Sequence, residues 1–168
     1  MSFFKEDLRG IRAFAFDMDG VLSTNELVLH PGGDMMRNVN TRDGFAIRKA
    51  IDDGFQVAII TGARSESIRK RFNELGVIDV FLGSDDKVKD LQTWISQRKI
   101  DPAQVLYMGD DIPDLNVMKL VGMPTCPSDA ASEIMSMAKY ISTYAGGHGC
   151  VRDVIEQVLR AQGFWKFS

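Results

Sequence analysis

Short apolar runs that end in turn-forming polar residues recur along the chain, at Ala13–Phe16, Gln56–Ile60, residues 80–82 and Val105–Met108. Runs of this length, rich in Val, Ile and Phe, read as strands buried on both faces. Between them the apolar positions change to helical spacing. Residues 44–53 place Phe45, Ile47, Ala50 and Ile51 at roughly helical spacing, with Asp43 as the expected N-cap and Gly54 as the stop. Residues 65–75 predict a helix with a basic face closed by Gly76, and residues 87–99 predict another. Asp101-Pro102 marks a turn, and Pro113 suits the first turn of a helix ended by Gly122. A strand near Thr125, a helix over 130–138, a strand near Tyr140 and a helix over 151–162 complete the pattern. Strands alternating with helices predict an α/β fold: a three-layer, Rossmann-like parallel sheet with helices on both faces. One segment breaks the rhythm. Leu27-Val28-Leu29, the turn Pro31-Gly32-Gly33-Asp34 and the run from Met35 to Val39 predict a β-hairpin inserted after the first strand, within residues 24–42.

Composition narrows the class without deciding it. The 168 residues are 45% hydrophobic and 26% charged, which suits a single globular domain over 1–168 with a C-terminal tail from about residue 145. A net charge of −3 favours neither a nucleic acid backbone nor an anionic membrane, so no nucleic acid or membrane partner is expected. Cys126 and Cys150 lie at no zinc or disulfide-framework spacing, and His30 and His148 have no partner spacing for a metal. MSFFKEDLRG lacks the basic start and apolar run of a signal peptide, and a cytoplasmic location is the expectation.

In open α/β sheets the site lies at the carboxyl ends of the strands. Those ends carry Asp17 and Asp19, then Thr61, then Lys87, then Asp110 and Asp111. Converging carboxylates repel one another, and a hard divalent cation relieves that repulsion; oxygen donors of this kind suit Mg2+. Lys87 would neutralise a second oxygen of an anionic substrate. By contrast Asp43, Asp79 and Asp101 are expected to be caps and turn formers.

Phe16-Asp17-Met18-Asp19-Gly20-Val21-Leu22 resembles the first motif of the haloacid dehalogenase superfamily. Thr61-Gly62, Lys87 and Gly109-Asp110-Asp111-x-x-Asp114 match its second, third and fourth motifs, in order and over nearly the whole chain. The resemblance implies a magnesium-dependent phosphatase. Asp17 would be the nucleophile and Asp19 the general acid and base. Thr61, Gly62 and Lys87 would cradle the phosphoryl oxygens. Asp17, the Asp19 carbonyl and Asp110 would hold the metal, with Asp111 and Asp114 behind them. The segments between Gly20 and Asp43 and between Gly62 and Lys87 are too short for a cap domain.

Asn40-x-Arg42-Asp43-Gly44, Thr61-Gly62-x-Arg64 and Gly146-Gly147-His148-Gly149-Cys150-Val151-Arg152 look like the capless, tetrameric branch that hydrolyses 3-deoxy-D-manno-octulosonate 8-phosphate for lipopolysaccharide synthesis. This likeness implies a homotetramer joined through its hairpins, with Asn40, Arg42 and Arg64 holding the sugar acid. Gly146, Gly147 and Arg152 would reach a neighbouring active site. A related branch acts on a nine-carbon, sialic-acid-like 9-phosphate and tends to carry an acid after Thr-Gly, where this chain has Ala63. A non-catalytic oligomeric scaffold is the alternative of another class, and the intact motif residues argue against it.

Overall fold

The computed structural model describes residues 2–168, with side chains from residue 5 onward. It opens with helix α1 (Ser2–Arg9), which the hydrophobic pattern does not announce, and continues to strand β1 (Ala13–Phe16). The hairpin follows as β2 (Val28–Leu29) and β3 (Met35–Met36), antiparallel, with Val28 opposite Met36. Then come α2 (Thr41–Asp52), β4 (Gln56–Ile60), α3 (Glu66–Glu74), β5 (Asp79–Phe81) and α4 (Lys87–Arg98). The second half runs β6 (Val105–Met108), α5 (Leu115–Met118), β7 (Met123–Cys126), α6 (Ser132–Met137), β8 (Tyr140–Ile141) and α7 (Cys150–Ala161).

Six strands form one parallel sheet in the order β5-β4-β1-β6-β7-β8. The two-residue period of each strand sorts its side chains between two cores. Phe14, Phe16, Val57, Ile59, Leu106 and Met108 pack with residues of α1, α2, α3 and α7. Ala13, Ala15, Ala58, Ile60, Val105 and Tyr107 pack with α4, α5 and α6 on the opposite face. Helix α7 shows why: Cys150, Val151, Val154, Ile155, Val158 and Leu159 are buried at helical spacing and form a continuous apolar stripe. No helix of the described residues is long and apolar enough to cross a membrane.

Several elements depart from expectation. The N-cap of α2 is Asn40 rather than Asp43: its Oδ1 accepts from the Arg42 and Asp43 amides at 2.8 and 3.2 Å. Asp43 instead serves the other end of the packing, its Oδ1 accepting from the Arg152 amide at 2.8 Å. It thereby caps α7, whose own N-cap, Gly149, has no side chain to offer. The helix expected after Pro113 shrinks to a 3-10 turn over Ile112–Asp114 followed by the single turn of α5. A capping box between Asp111 and Asp114 sets that tight start.

Among the described residues, the hairpin alone lies between β1 and α2 and α3 alone between β4 and β5, and none of them forms a cap domain over the sheet edge. From β1 the chain steps outward through β4 and β5, then returns to the other side of β1 as β6. The strand order therefore reverses between β1 and β6, and a crevice opens at their carboxyl ends.

Candidate active site

Asp17 follows β1 directly, and its amide donates to the Met108 carbonyl at 3.1 Å, locking it to the end of β6. One carboxylate oxygen accepts from the Met18 amide at 2.7 Å; the other lies 2.9 Å from Lys87 Nζ. Lys87, the first residue of α4, also reaches Asp114 Oδ1 at 2.7 Å. Asp114 is fully buried and saturated. Tyr107 donates its hydroxyl to Oδ1 at 2.7 Å, and the Asp110 amide donates to Oδ2 at 3.0 Å. Asp114 therefore organises the site rather than offering free ligand oxygens.

Oxygens of Asp17, Asp110 and Asp114 lie within 4.8 Å of one another. One ammonium faces these three carboxylates, so negative charge is in excess. Burial, followed by repulsion from Asp114, holds Asp17 well above the usual carboxylate range against the pull of Lys87. Burial and the charges of Asp114 and Asp111 push Asp110 up to about 7. Burial disfavours the Lys87 ammonium, but Asp17 and Asp114 outweigh it and raise its pKa. Buried oxygens that resist ionisation for want of positive charge fit a hard divalent cation well.

Gly20 explains how the carboxylates come so close. Its φ of +85° lies in the left-handed region, and a Cβ there would stand 1.9 Å from Asp110 Oδ2. Gly146 repeats the device one layer out, where a Cβ would stand 1.9 Å from the Gly20 carbonyl oxygen. The Gly146 amide donates to Asp129 Oδ1 at 2.9 Å, and the Gly147 amide to the Val21 carbonyl at 2.9 Å. These two glycines pack on the chain's own loop after β1.

An open cavity of about 610 Å³ sits over this cluster, lined by Asp17, Asp19, Thr61, Gly62, Lys87 and Asp110 among others. Asp111 and Asp114 line it too, as do Asn25 and Leu27 from the hairpin segment. The structure thus brings together every residue expected at the strand ends. Thr61 is buried, with its hydroxyl accepting from the Ala63 amide at 3.1 Å. Arg64 stays exposed near the rim and pairs with Asp85 at 3.4 Å.

Asn40, Arg42 and Arg152 do not reach this cavity within one chain. They line a separate one of about 490 Å³, together with His148, Glu156 and Arg160. Arg152 pairs with Glu156 at 2.8 Å, and its guanidinium lies 4.6 Å from the Trp165 ring centre.

Two residues escaped the sequence reading. Tyr107 was legible in principle, because a hydroxyl in a strand buried on both faces must find a partner. Arg37, just past β3, grips Asp19 with Nε at 2.5 Å from Oδ1 and Nη2 at 3.0 Å from Oδ2. Its signal was a lone arginine at the foot of an apolar hairpin.

Residues 73–154 match the family of haloacid dehalogenase-like hydrolases. The chain is 35% identical over 153 residues to the 3-deoxy-D-manno-octulosonate 8-phosphate phosphatase of Salmonella typhi, covering 91% of this chain and 81% of that protein. The crystal structure of the phosphatase of that name from Yersinia pestis is similar with a TM-score of 0.92 at 34% identity, covering 95% and 86% of the two chains. That from Moraxella catarrhalis, in complex with magnesium, phosphate and KDO, gives 0.93 at 31% identity, with 97% and 94% covered.

Proposed function

The chain belongs to the haloacid dehalogenase-like hydrolases, among the 3-deoxy-D-manno-octulosonate 8-phosphate phosphatases, and is a phosphoric monoester hydrolase; we propose that its substrate is that eight-carbon sugar-acid phosphate. The observation that carries this reading is the Asp17–Lys87–Asp114 chain beside Asp110, at the floor of a cavity with no cap above it.

Asp17 attacks phosphorus with a carboxylate oxygen, forming an aspartyl phosphate as the bond to the sugar oxygen breaks. Asp19 gives its proton to that leaving oxygen, then takes one from the water that attacks the phosphoenzyme. Inorganic phosphate leaves and Asp17 is restored. Lys87, the Thr61 hydroxyl and the Gly62 amide stabilise the phosphoryl oxygens where charge is concentrated in the transition state. Asp17, Asp110 and the Asp19 carbonyl would hold Mg2+, which would supply positive charge to the transferring phosphoryl group. The cluster of Asp17, Asp110 and Asp114 oxygens within 4.8 Å of one another supports this, and Asp19 directs its carboxylate to Arg37.

A homotetramer fits the apolar hairpin, where Val28, Leu29, Met35 and Met36 are all exposed. Within that assembly Asn40, Arg42, Arg64 and Arg152 are the candidates for recognising the sugar acid, while Gly146 and Gly147 support the loop after β1 of their own chain. The position of Asn40, Arg42 and Arg152 outside their own chain's cavity supports a role at a neighbour's. The product would feed lipopolysaccharide synthesis. Phosphate release over a panel of sugar-acid phosphates tests the reading. The eight-carbon 8-phosphate should be the preferred substrate by at least tenfold in kcat/KM. A preference for a nine-carbon 9-phosphate would overturn the substrate, and no release from any monoester would leave the scaffold alternative.

A further inference from the structure

Arg37 is not among the residues that line the active-site cavity, yet it makes a two-pronged ion pair with one that does. Both oxygens of Asp19 are engaged, by Nε at 2.5 Å and Nη2 at 3.0 Å, in the fork geometry that guanidinium offers a carboxylate. A third N–H, on Nη1, donates to the Met35 carbonyl at 3.0 Å, which ties the guanidinium to the backbone of β3. The Arg37 side chain is only 8% exposed against 33% for Asp19. Asp19 lines the cavity with Asp17, Thr61 and Lys87, whereas Arg37 is not among the residues that do. The arginine therefore holds the carboxylate from behind. Among the described residues, the other side-chain hydrogen bond to Asp19 comes from the Ser23 hydroxyl, at a longer 3.3 Å from Oδ1.

We propose that Arg37 is a positioning residue that fixes the orientation of Asp19 for proton transfer, so that the hairpin forms part of the catalytic apparatus. The proposal rests on the reading of Asp19 as general acid and base. A one-third-exposed aspartate with no such anchor samples several rotamers, and most of them do not face the leaving oxygen. Arg37 removes that freedom before the substrate arrives, and a small misplacement of a catalytic group is costly. The anchor is carried by the hairpin, 18 residues away in sequence, so the orientation of Asp19 depends on the hairpin being folded.

The test compares two leaving groups. An alkyl phosphate, taken as whichever sugar phosphate the enzyme hydrolyses best, needs a proton donor when its bond to phosphorus breaks. p-Nitrophenyl phosphate expels a stable phenolate and needs little help, so its pre-steady-state burst of nitrophenolate reports phosphoenzyme formation without the acid. Arg37→Ala should lower kcat on the alkyl phosphate tenfold or more, with KM within about twofold, and leave the burst rate within about threefold. Arg37→Lys, which keeps the charge but not the planar fork, should recover part of the loss. Adding Arg37→Ala to Asp19→Asn should cost less than twofold further, because the group being positioned is already gone. Equal losses on both substrates would overturn the proposal, as would a full additive loss in the double variant. Asp19→Asn alone separates the two readings. If it discriminates between the leaving groups while Arg37→Ala does not, the positioning role fails alone. If Asp19→Asn shows no discrimination, the acid–base reading fails and the proposal falls with it.

Discussion

Gly20→Ala should cripple turnover far more than it destabilises the fold, and the structure gives the sizes of both effects. At φ +85° a non-glycine residue pays on the order of 1–2 kcal/mol in backbone strain. The added Cβ would stand 1.9 Å from Asp110 Oδ2 and 2.4 Å from its Cγ. Carbon and oxygen normally approach to about 3.3 Å at closest, so the carboxylate must retreat by roughly 1.4 Å. It can do so by turning about its side-chain torsions, at a cost of about 1 kcal/mol. The total loss of stability is then about 2–3 kcal/mol. A displacement of about 1 Å in a group that positions the reacting atoms costs on the order of a hundredfold in rate. Gly54→Ala is the matched control, with φ +91° but nothing within 4 Å of its added Cβ. It should lose about 1–2 kcal/mol by urea denaturation and keep its phosphate release within twofold. Gly20→Ala keeping a third or more of wild-type activity, or Gly54→Ala losing as much as Gly20→Ala, would refute the steric account of the metal-side carboxylate.

Asp17→Asn should abolish phosphate release with either leaving group, since an amide cannot form the phosphoenzyme; wild-type-like rates would exclude Asp17 as nucleophile. Chelation should remove activity and Mg2+ restore it, while also raising the melting temperature, because the cation compensates the burial and the neighbouring charges that push Asp110 up to about 7. Calorimetry with and without chelator checks the second half of that expectation. Asp43 offers a pH test remote from the chemistry. It is buried, its Oδ2 has no hydrogen-bond partner, and burial pushes its pKa up to about 6 despite the Arg152 amide. The folded chain thus binds this proton more tightly than the unfolded chain, whose value is about 3.9. The resulting stabilisation is full below about pH 4 and is lost as pH rises through about 6. Denaturation between pH 4 and 7 should show Asp43→Asn flattening that decline by about 2–3 kcal/mol, and an unchanged slope would refute it.

Strands β1, β4 and β6 could be read directly from the chain because a parallel strand covered on both faces is a near-continuous apolar run, whichever neighbours it finds; in β4 the exposed Gln56 marks where the run starts. The weaker β5 began one residue earlier than its pattern suggested, as a mixed sequence beside Asp79 does not mark its own edge. Helix α1 was missed for a related reason: only its docking against α7, with Leu8 buried in the core, defines it as an element. The caps were harder still. Asn40 and Asp43 stand three residues apart and both suit an N-terminus. Their division of labour follows from α7 arriving beside α2 with a glycine where its own cap would stand.

What the sequence determined by itself was which chemical groups share the sheet edge. Asp17, Asp19, Thr61, Lys87 and Asp110 each follow a strand or open the helix beyond one, and a parallel α/β sheet gathers all such positions on one edge. Tertiary structure alone decided how those groups are held. Lys87 bridges Asp17 and Asp114, Tyr107 closes the far side of Asp114, and Arg37 clamps Asp19, through contacts spanning 7 to 70 residues that no local period encodes. The same holds for the fate of Asn40, Arg42 and Arg152, which the topology carries to a second cavity. The difference is physical. Periodicity records which face of an element is dry, whereas a hydrogen bond between two side chains depends on the angle and distance at which separate elements pack.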